Sequence, residues 1–317
     1  MANPSSAGSG GEASLLQPRV LLPFLLITLI WGSTWIVIRD QLSVVPATWS
    51  VTYRFVIASA AMFAVAALSG ASLRIGREGH VLALAFGVPQ FFLNFNFVYA
   101  AEHYVTSGLV AVVFALLLVP NSALGWAFLK LRPTGNFLAG SALAIAGVAL
   151  LFVQELQVSE AAPGDVLLGI GFALAGVLSA SAANVLQAAE RLRGRPIAAM
   201  LAWGMLYGTL ADGAMALFLH GPPTFESRPG YWFGLVYLGL VASALAFTIY
   251  FRILRLVGPG RAAYSSVLVP VVAMALSTLF EGYRWSALAA AGGALVLTGL
   301  LVALRSSRPK PEQVAAP

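Results

Sequence analysis

The sequence contains no cysteine among its 317 residues, which excludes a disulfide framework and a thiolate metal site. Charge is almost as scarce: Asp, Glu, Lys and Arg make up 9% of the chain, against about 25% in soluble domains. The three histidines, His80, His103 and His220, lie too far apart in sequence to suggest a metal site and read as interfacial residues. No metal and no cofactor is expected. What fills the space is apolar: 59% of residues are hydrophobic and the mean hydropathy is +0.86. Such a chain is counted in membrane spans of about 20 residues, and it has room for about ten. The bilayer is therefore the first expected partner.

Apolar runs bounded by charge, Pro and Gly fall near 20–38, 46–69, 80–101, 105–129 and 135–153, then near 165–188, 196–219, 230–251, 260–280 and 285–304. The opening MANPSSAGSGGEASLLQ has no basic residue ahead of the apolar run near Val20, so residues 1–19 read as a disordered cytosolic tail and not as a cleaved signal. With that tail in the cytosol, one side of the membrane holds Arg19, Arg74, Arg77, Lys130, Arg132, Arg191, Arg193, Arg195, Arg252, Arg255, Arg261, Arg305, Arg308 and Lys310. The other side holds Arg39, Arg228 and Arg284. Cytosolic loops retain Lys and Arg, so both termini are expected in the cytosol and the protein in the inner (cytoplasmic) membrane. This asymmetry accounts for the net charge of +6 without nucleic acid as a partner.

At an offset of 150 the two halves align: Pro46 matches Pro196 and Pro120 matches Pro270. The segment from Leu116, LLLVPNSALGWAFLKLRPTGNFLAGSALAIAGVALL, resembles that from Ser266, SVLVPVVAMALSTLFEGYRWSALAAAGGALVLTGLL, with Gly140 opposite Gly292 and Gly147 opposite Gly299. Five spans per half is an odd number, so the second copy enters the membrane from the opposite side. The expected fold is an all-α integral membrane protein of ten transmembrane helices, arranged as two inverted five-helix repeats around a central cavity. Its parts are residues 20–153, an extracytoplasmic linker at 154–164, residues 165–304 and a cytosolic tail at 305–317. Inverted repeats of this kind place a midplane site between two bundles that rock against each other. The paired glycines read as close helix packing. Pro46 and Pro196 are expected to begin helices, while Pro120 and Pro270, within spans, are structural or coupling candidates that either kink the helix or loosen a gate.

The run IWGSTWIVIRD, Pro46 with Arg54 eight residues later, VGPGRAAYSSVLVPVVAMALSTLF, and the glycine-spaced last span of each half resemble the EamA-type branch of the drug/metabolite transporter superfamily. The resemblance runs from about Leu21 to Leu304. It implies ten helices around a central cavity and export of small molecules: amino acids, aromatic or broad in range, or another class such as drugs or nucleotide sugars. A Glu that the family often carries near the start of the fifth and tenth spans has no match here, where the positions are Leu131 and Tyr283, with Glu281 nearby.

Polar groups at membrane depth are costly and mark candidate sites. The substrate-binding candidates are Trp31, Ser33 and Thr34 in the first span; Asn94, Asn96 and Tyr99 in the third; Asn121 in the fourth; Ser181, Asn184 and Gln187 in the sixth; Ser243 and Thr248 in the eighth; and Tyr264 in the ninth. The Ser and Thr hydroxyls have a competing use, bonding their own helix carbonyls. At 100° per residue Asn94 and Asn96 point about 200° apart, so they do not both face one cavity, and at least one of them bonds a neighbouring helix. The phenylalanines around them read as lipid or packing contacts. Arg54 and Asp212 are structural or coupling candidates, each about eight residues from the extracytoplasmic end of its span, a matched depth of about 12 Å at which they would pair or share one water network; snorkelling of Arg54 outward, or contact with a substrate carboxylate, stays an open alternative. Few other carboxylates reach the membrane interior, so uniport and proton antiport stay open alternatives. The absence of a nucleophile with its base disfavours an enzyme, and the repeat disfavours a channel.

Overall fold

The fold comes from a computed structural model and is described for residues 18–42, 45–129, 133–158, 162–257 and 265–305. Helices account for the regular structure of these residues, and no strand occurs among them. In chain order they are α1 (Pro18–Gln41), α2 (Ala47–Leu68), α3 (Gly76–Gly87, continuing through Val88–Leu93 and Asn94–Glu102), α4 (Ser107–Ala115 and Leu118–Leu129) and α5 (Gly135–Val158). Next come α6 (Pro163–Ala188), α7 (Ile197–His220), α8 (Pro229–Val236, continuing through Tyr237–Leu245 and Ala246–Val257), α9 (Ser265–Phe280) and α10 (Ala287–Arg305). A single helical turn, Glu190–Arg193, precedes α7. Several helices run past the apolar windows. α5 extends through Val158 and α6 starts at Pro163, which shortens the expected linker at 154–164. The expected tails lie mostly outside the described residues, although Pro18 and Arg19 already belong to α1.

Seven helices among the described residues are long and apolar enough to cross a membrane. Large apolar side chains such as Leu29, Phe128, Leu138, Leu178, Phe218 and Phe233 stand exposed on the helices. Exposed apolar surface on this scale marks a surface that meets another apolar phase, and the chain is a multi-pass membrane protein.

Proline chemistry shapes the helix ends and breaks. Pro46 and Pro196 precede the first turns of α2 and α7, where a missing N–H costs nothing. In α4 the helix stops at Ala115 and resumes at Leu118, just ahead of Pro120. Pro120 cannot donate to the Leu116 carbonyl four residues back, and the Val119 amide takes that carbonyl instead at 2.8 Å. Pro270 sits inside α9 without ending it. Two widened π-helical sections, Val88–Leu93 in α3 and Tyr237–Leu245 in α8, occupy corresponding places in the two halves. In α8 the Ser243 hydroxyl donates back to the Leu238 carbonyl five residues earlier at 2.8 Å.

The packing has a regular pattern. α2 lies on α7, α4 on α9 and α5 on α10, while α1 meets α8 and α9 as α6 meets α3 and α4, and α2 meets α8 as α7 meets α3. Exchanging the first five helices for the last five maps this set onto itself. The α5–α10 interface depends on glycine: a Cβ on Gly140 would stand 2.4 Å from the Gly299 carbonyl oxygen, and one on Gly147 would stand 2.6 Å from that of Gly292. The glycines that match in sequence are thus not face to face; each packs on the counterpart of the other.

Candidate functional site

A cavity of about 170 Å³ lies among the helices of both halves. Helical spacing explains most of its wall. On α1, Trp31, Thr34, Trp35 and Ile38 stand at steps of three and four and so share one face. On α3, Gln90, Asn94 and Val98 form a row, with Phe95 beside it. α4 contributes Ala111, Phe114, Ala115 and Leu118, and its proline break lets Leu117 and Asn121 join them. Arg54 comes from α2, Ala180 and Asn184 from α6, Phe247 and Tyr250 from α8, and Val269 and Pro270 from α9.

The wall is mainly aromatic and aliphatic, with a few amides and one charge. Trp31 packs against Phe247 and Tyr250, its ring centre 5.5 and 5.1 Å from theirs, and its indole N–H donates to the Ala242 carbonyl. Trp35 lies 5.2 Å from Phe114. Arg54 is only 1% exposed. Its Nε donates to the Ser243 hydroxyl at 3.0 Å, its guanidinium carbon stands 4.2 Å from the centre of the Phe95 ring, and the Tyr99 hydroxyl also faces it. Nη1 of Arg54 and the side-chain carbonyl oxygens of Asn94 and Asn121 have no hydrogen-bond partner among the described residues. Among the described residues no acidic side chain lines the cavity.

Of the sequence candidates, Trp31, Thr34, Asn94, Asn121 and Asn184 line this space, together with Arg54 and Pro270. The others do not. Ser33 turns toward α8, where its hydroxyl meets that of Tyr237 at 2.6 Å. Asn96, on the opposite side of α3 from Asn94, donates to Asp212 at 2.5 Å and to the Phe92 carbonyl at 2.8 Å. Tyr99 donates to Gln41 at 2.9 Å, and Ser243 serves Arg54 from behind the wall. Thr248 bonds its own helix through the Ala244 carbonyl. Ser181 is fully buried and Gln187 half-buried, both away from the cavity. Pro120 shapes the break in α4 without lining it, and Tyr264 lies outside the described residues.

Of the expected Arg54–Asp212 arrangements, the direct ion pair does not occur in the structure. Among the described residues the ion pairs join Arg195 to Glu78 and Arg228 to Asp40 and Glu226, and neither Arg54 nor Asp212 takes part. Equal depth in the membrane is only one of two coordinates. Around the helix axes Arg54 turns to the cavity and α8, whereas Asp212 turns to Asn96 on α3. Phe95, expected as a lipid or packing contact, instead joins the cavity wall, as do Phe114 and Phe247. The steps of three and four on α4 were the available signal for Phe114.

Comparison with known proteins agrees with this architecture. The family model described as EamA-like transporter family matches residues 19–153 and again 167–305. A probable amino-acid metabolite efflux pump of Escherichia coli is 28% identical over 290 residues, covering 88% of this chain and 92% of its own. A probable terminal-alkyne amino-acid exporter of Streptantibioticus cattleyicolor is 26% identical, covering 94% of this chain and 98% of its own. Protein PagO of Salmonella typhimurium is 23% identical, covering 83% and 85%. A solved crystal structure at 20% identity superposes with a TM-score of 0.68 over 90% of this chain and 96% of its own, which supports the fold. With the family pattern present twice and spanning nearly the whole chain, the protein is a membrane transporter, not an enzyme, and belongs to the EamA-like transporter family.

Proposed function

We propose that this protein is a secondary carrier that exports amino acids or related small metabolites across the inner membrane by alternating access. In this reading ten helices span the bilayer as two inverted halves, residues 20–153 and 165–304, with both termini in the cytosol. The basic-residue asymmetry supports the orientation. The self-mapping set of helix contacts and the crossed glycine pairs support the repeat. The names of the E. coli and S. cattleyicolor relatives support amino-acid export.

The observation that carries the proposal is the cavity itself, walled by helices of both halves, with amides and one cation set in an aromatic surround. Rocking one half against the other would present that space to each side of the membrane in turn. A nucleotide sugar, with two phosphate charges, would meet a single guanidinium there.

The test is counterflow in proteoliposomes preloaded with one unlabelled compound from a panel of amino acids, nucleotide sugars and drugs, with and without a pH gradient. Saturable, preload-dependent accumulation of a labelled amino acid is expected. Flux that neither saturates nor depends on the preload would overturn the carrier reading.

A further inference from the structure

We propose that Arg54 is a carboxylate-binding residue of the central cavity and makes a free carboxylate the feature by which substrates are admitted. This rests on the carrier reading above and names the chemistry its site selects.

An arginine keeps its charge in proteins, and a buried charge without a counter-ion carries a large desolvation penalty. Arg54 is in that position. It is 1% exposed and, among the described residues, belongs to no ion pair; its contacts there include a serine hydroxyl, a tyrosine hydroxyl and the faces of Phe95 and Phe55. The field of Glu102 reaches it, but both Glu102 carboxylate oxygens lack a hydrogen-bond partner, so that acid does not meet the guanidinium. One edge of the fork is tied back through Nε to Ser243, itself fixed by the Leu238 carbonyl, while Nη1 of this cavity-lining residue has no hydrogen-bond partner among the described residues. A cation held in place with a donor to spare is preorganised for an anion, and a carboxylate matches its planar geometry.

The other end of the ligand follows from the remaining polar atoms. Asn94 and Asn121 each leave a carbonyl oxygen unbonded. These neutral acceptors suit ammonium N–H donors without supplying a negative charge. A zwitterion therefore meets a full complement. An amine that lacks a carboxylate meets the guanidinium and, among the described residues of the wall, no acid, and is disfavoured on charge, which sets cationic drugs outside the substrate class.

The test uses the purified full-length protein and four probes of similar shape: L-phenylalanine, 3-phenylpropionate, phenethylamine and L-phenylalanine methyl ester. Binding is read by quenching of tryptophan fluorescence, since Trp31 and Trp35 line the cavity, and by thermal stabilisation. The two carboxylates are expected to bind at least about tenfold more tightly than the amine and the ester. Arg54→Gln is expected to remove that preference and Arg54→Lys to keep part of it; if Arg54→Gln does not fold, the wild-type probe series decides alone. Binding of the ester and the amine as tight as that of the two carboxylates, or no binding of either carboxylate, would overturn the proposal. Carboxylate-selective binding without counterflow of any compound would leave the anchor standing and refute the carrier. Counterflow in which the methyl ester competes as well as phenylalanine would do the reverse.

Discussion

The hydroxyl of Ser107 donates to a carboxylate oxygen of Glu281 at 2.6 Å, and the Ser107 amide reaches the other oxygen at 3.4 Å. The first residue of α4 is thereby tied to the residue that follows α9, across the two halves. Gly108 deepens the contact, since a Cβ there would stand 2.8 Å from the Met274 sulfur. Hydrogen bonds to a charged group contribute about 1.5–3 kcal/mol, enough to bias a two-state equilibrium by roughly tenfold or more. In the proposed topology this tie closes the extracytoplasmic end. Glu281→Ala should therefore speed labelling of an Ala111→Cys reporter by a membrane-impermeant maleimide added from outside. Glu281→Gln, which keeps an acceptor for the hydroxyl, should fall between. The native chain has no cysteine, so the reporter is the sole target; an unchanged rate in Glu281→Ala would remove the gating role of this contact.

Asn96 and Asp212 bind α3 to α7 in the same direct way. Asp212 is fully buried and has no ion pair among those described, so its contribution is a hydrogen bond and not a charge interaction. A double-mutant cycle of Asn96→Ala and Asp212→Ala, followed by thermal unfolding in detergent, should give a coupling of about 0.6 kcal/mol and up to about 1.7. The cycle between Arg54→Gln and Asp212→Ala should give a smaller one. A reversed order would restore the Arg54–Asp212 pair.

The α5–α10 interface admits no side chain at Gly140, where an added Cβ would lie 2.4 Å from the Ala303 backbone nitrogen. Backbone on both sides cannot move aside as a side-chain tip would. Gly140→Leu should lose about 1–3 kcal/mol by overpacking, seen as a lower melting temperature, with transport per folded molecule retained. Gly171→Ala is the control, because nothing stands within 4 Å of a Cβ there. Equal melting temperatures for the two variants would contradict the close packing.

Much of this architecture is legible in the chain. Charge scarcity marks the membrane segments, and repeated proline and glycine spacing marks the two halves, because both signals survive without knowledge of how helices turn. The π-helical sections at Val88–Leu93 and Tyr237–Leu245 left no such trace; they change the turn without changing composition. The site was legible by depth and not by azimuth. Helical geometry separated Asn94 from Asn96, yet only the packing shows that Asn94 faces the cavity and Asn96 faces Asp212. Phe95 and Phe128 illustrate the same limit: one lines the cavity and the other stands exposed, and the residue type is identical.

The central claim is that substrate passes through the cavity between the halves. The direct measurement is counterflow by an Ala180→Cys variant, whose single thiol would line that space on α6, before and after reaction with N-ethylmaleimide. The account predicts that stoichiometric labelling abolishes exchange of the transported amino acid and that saturating substrate slows the labelling. Full exchange by the labelled protein would contradict it.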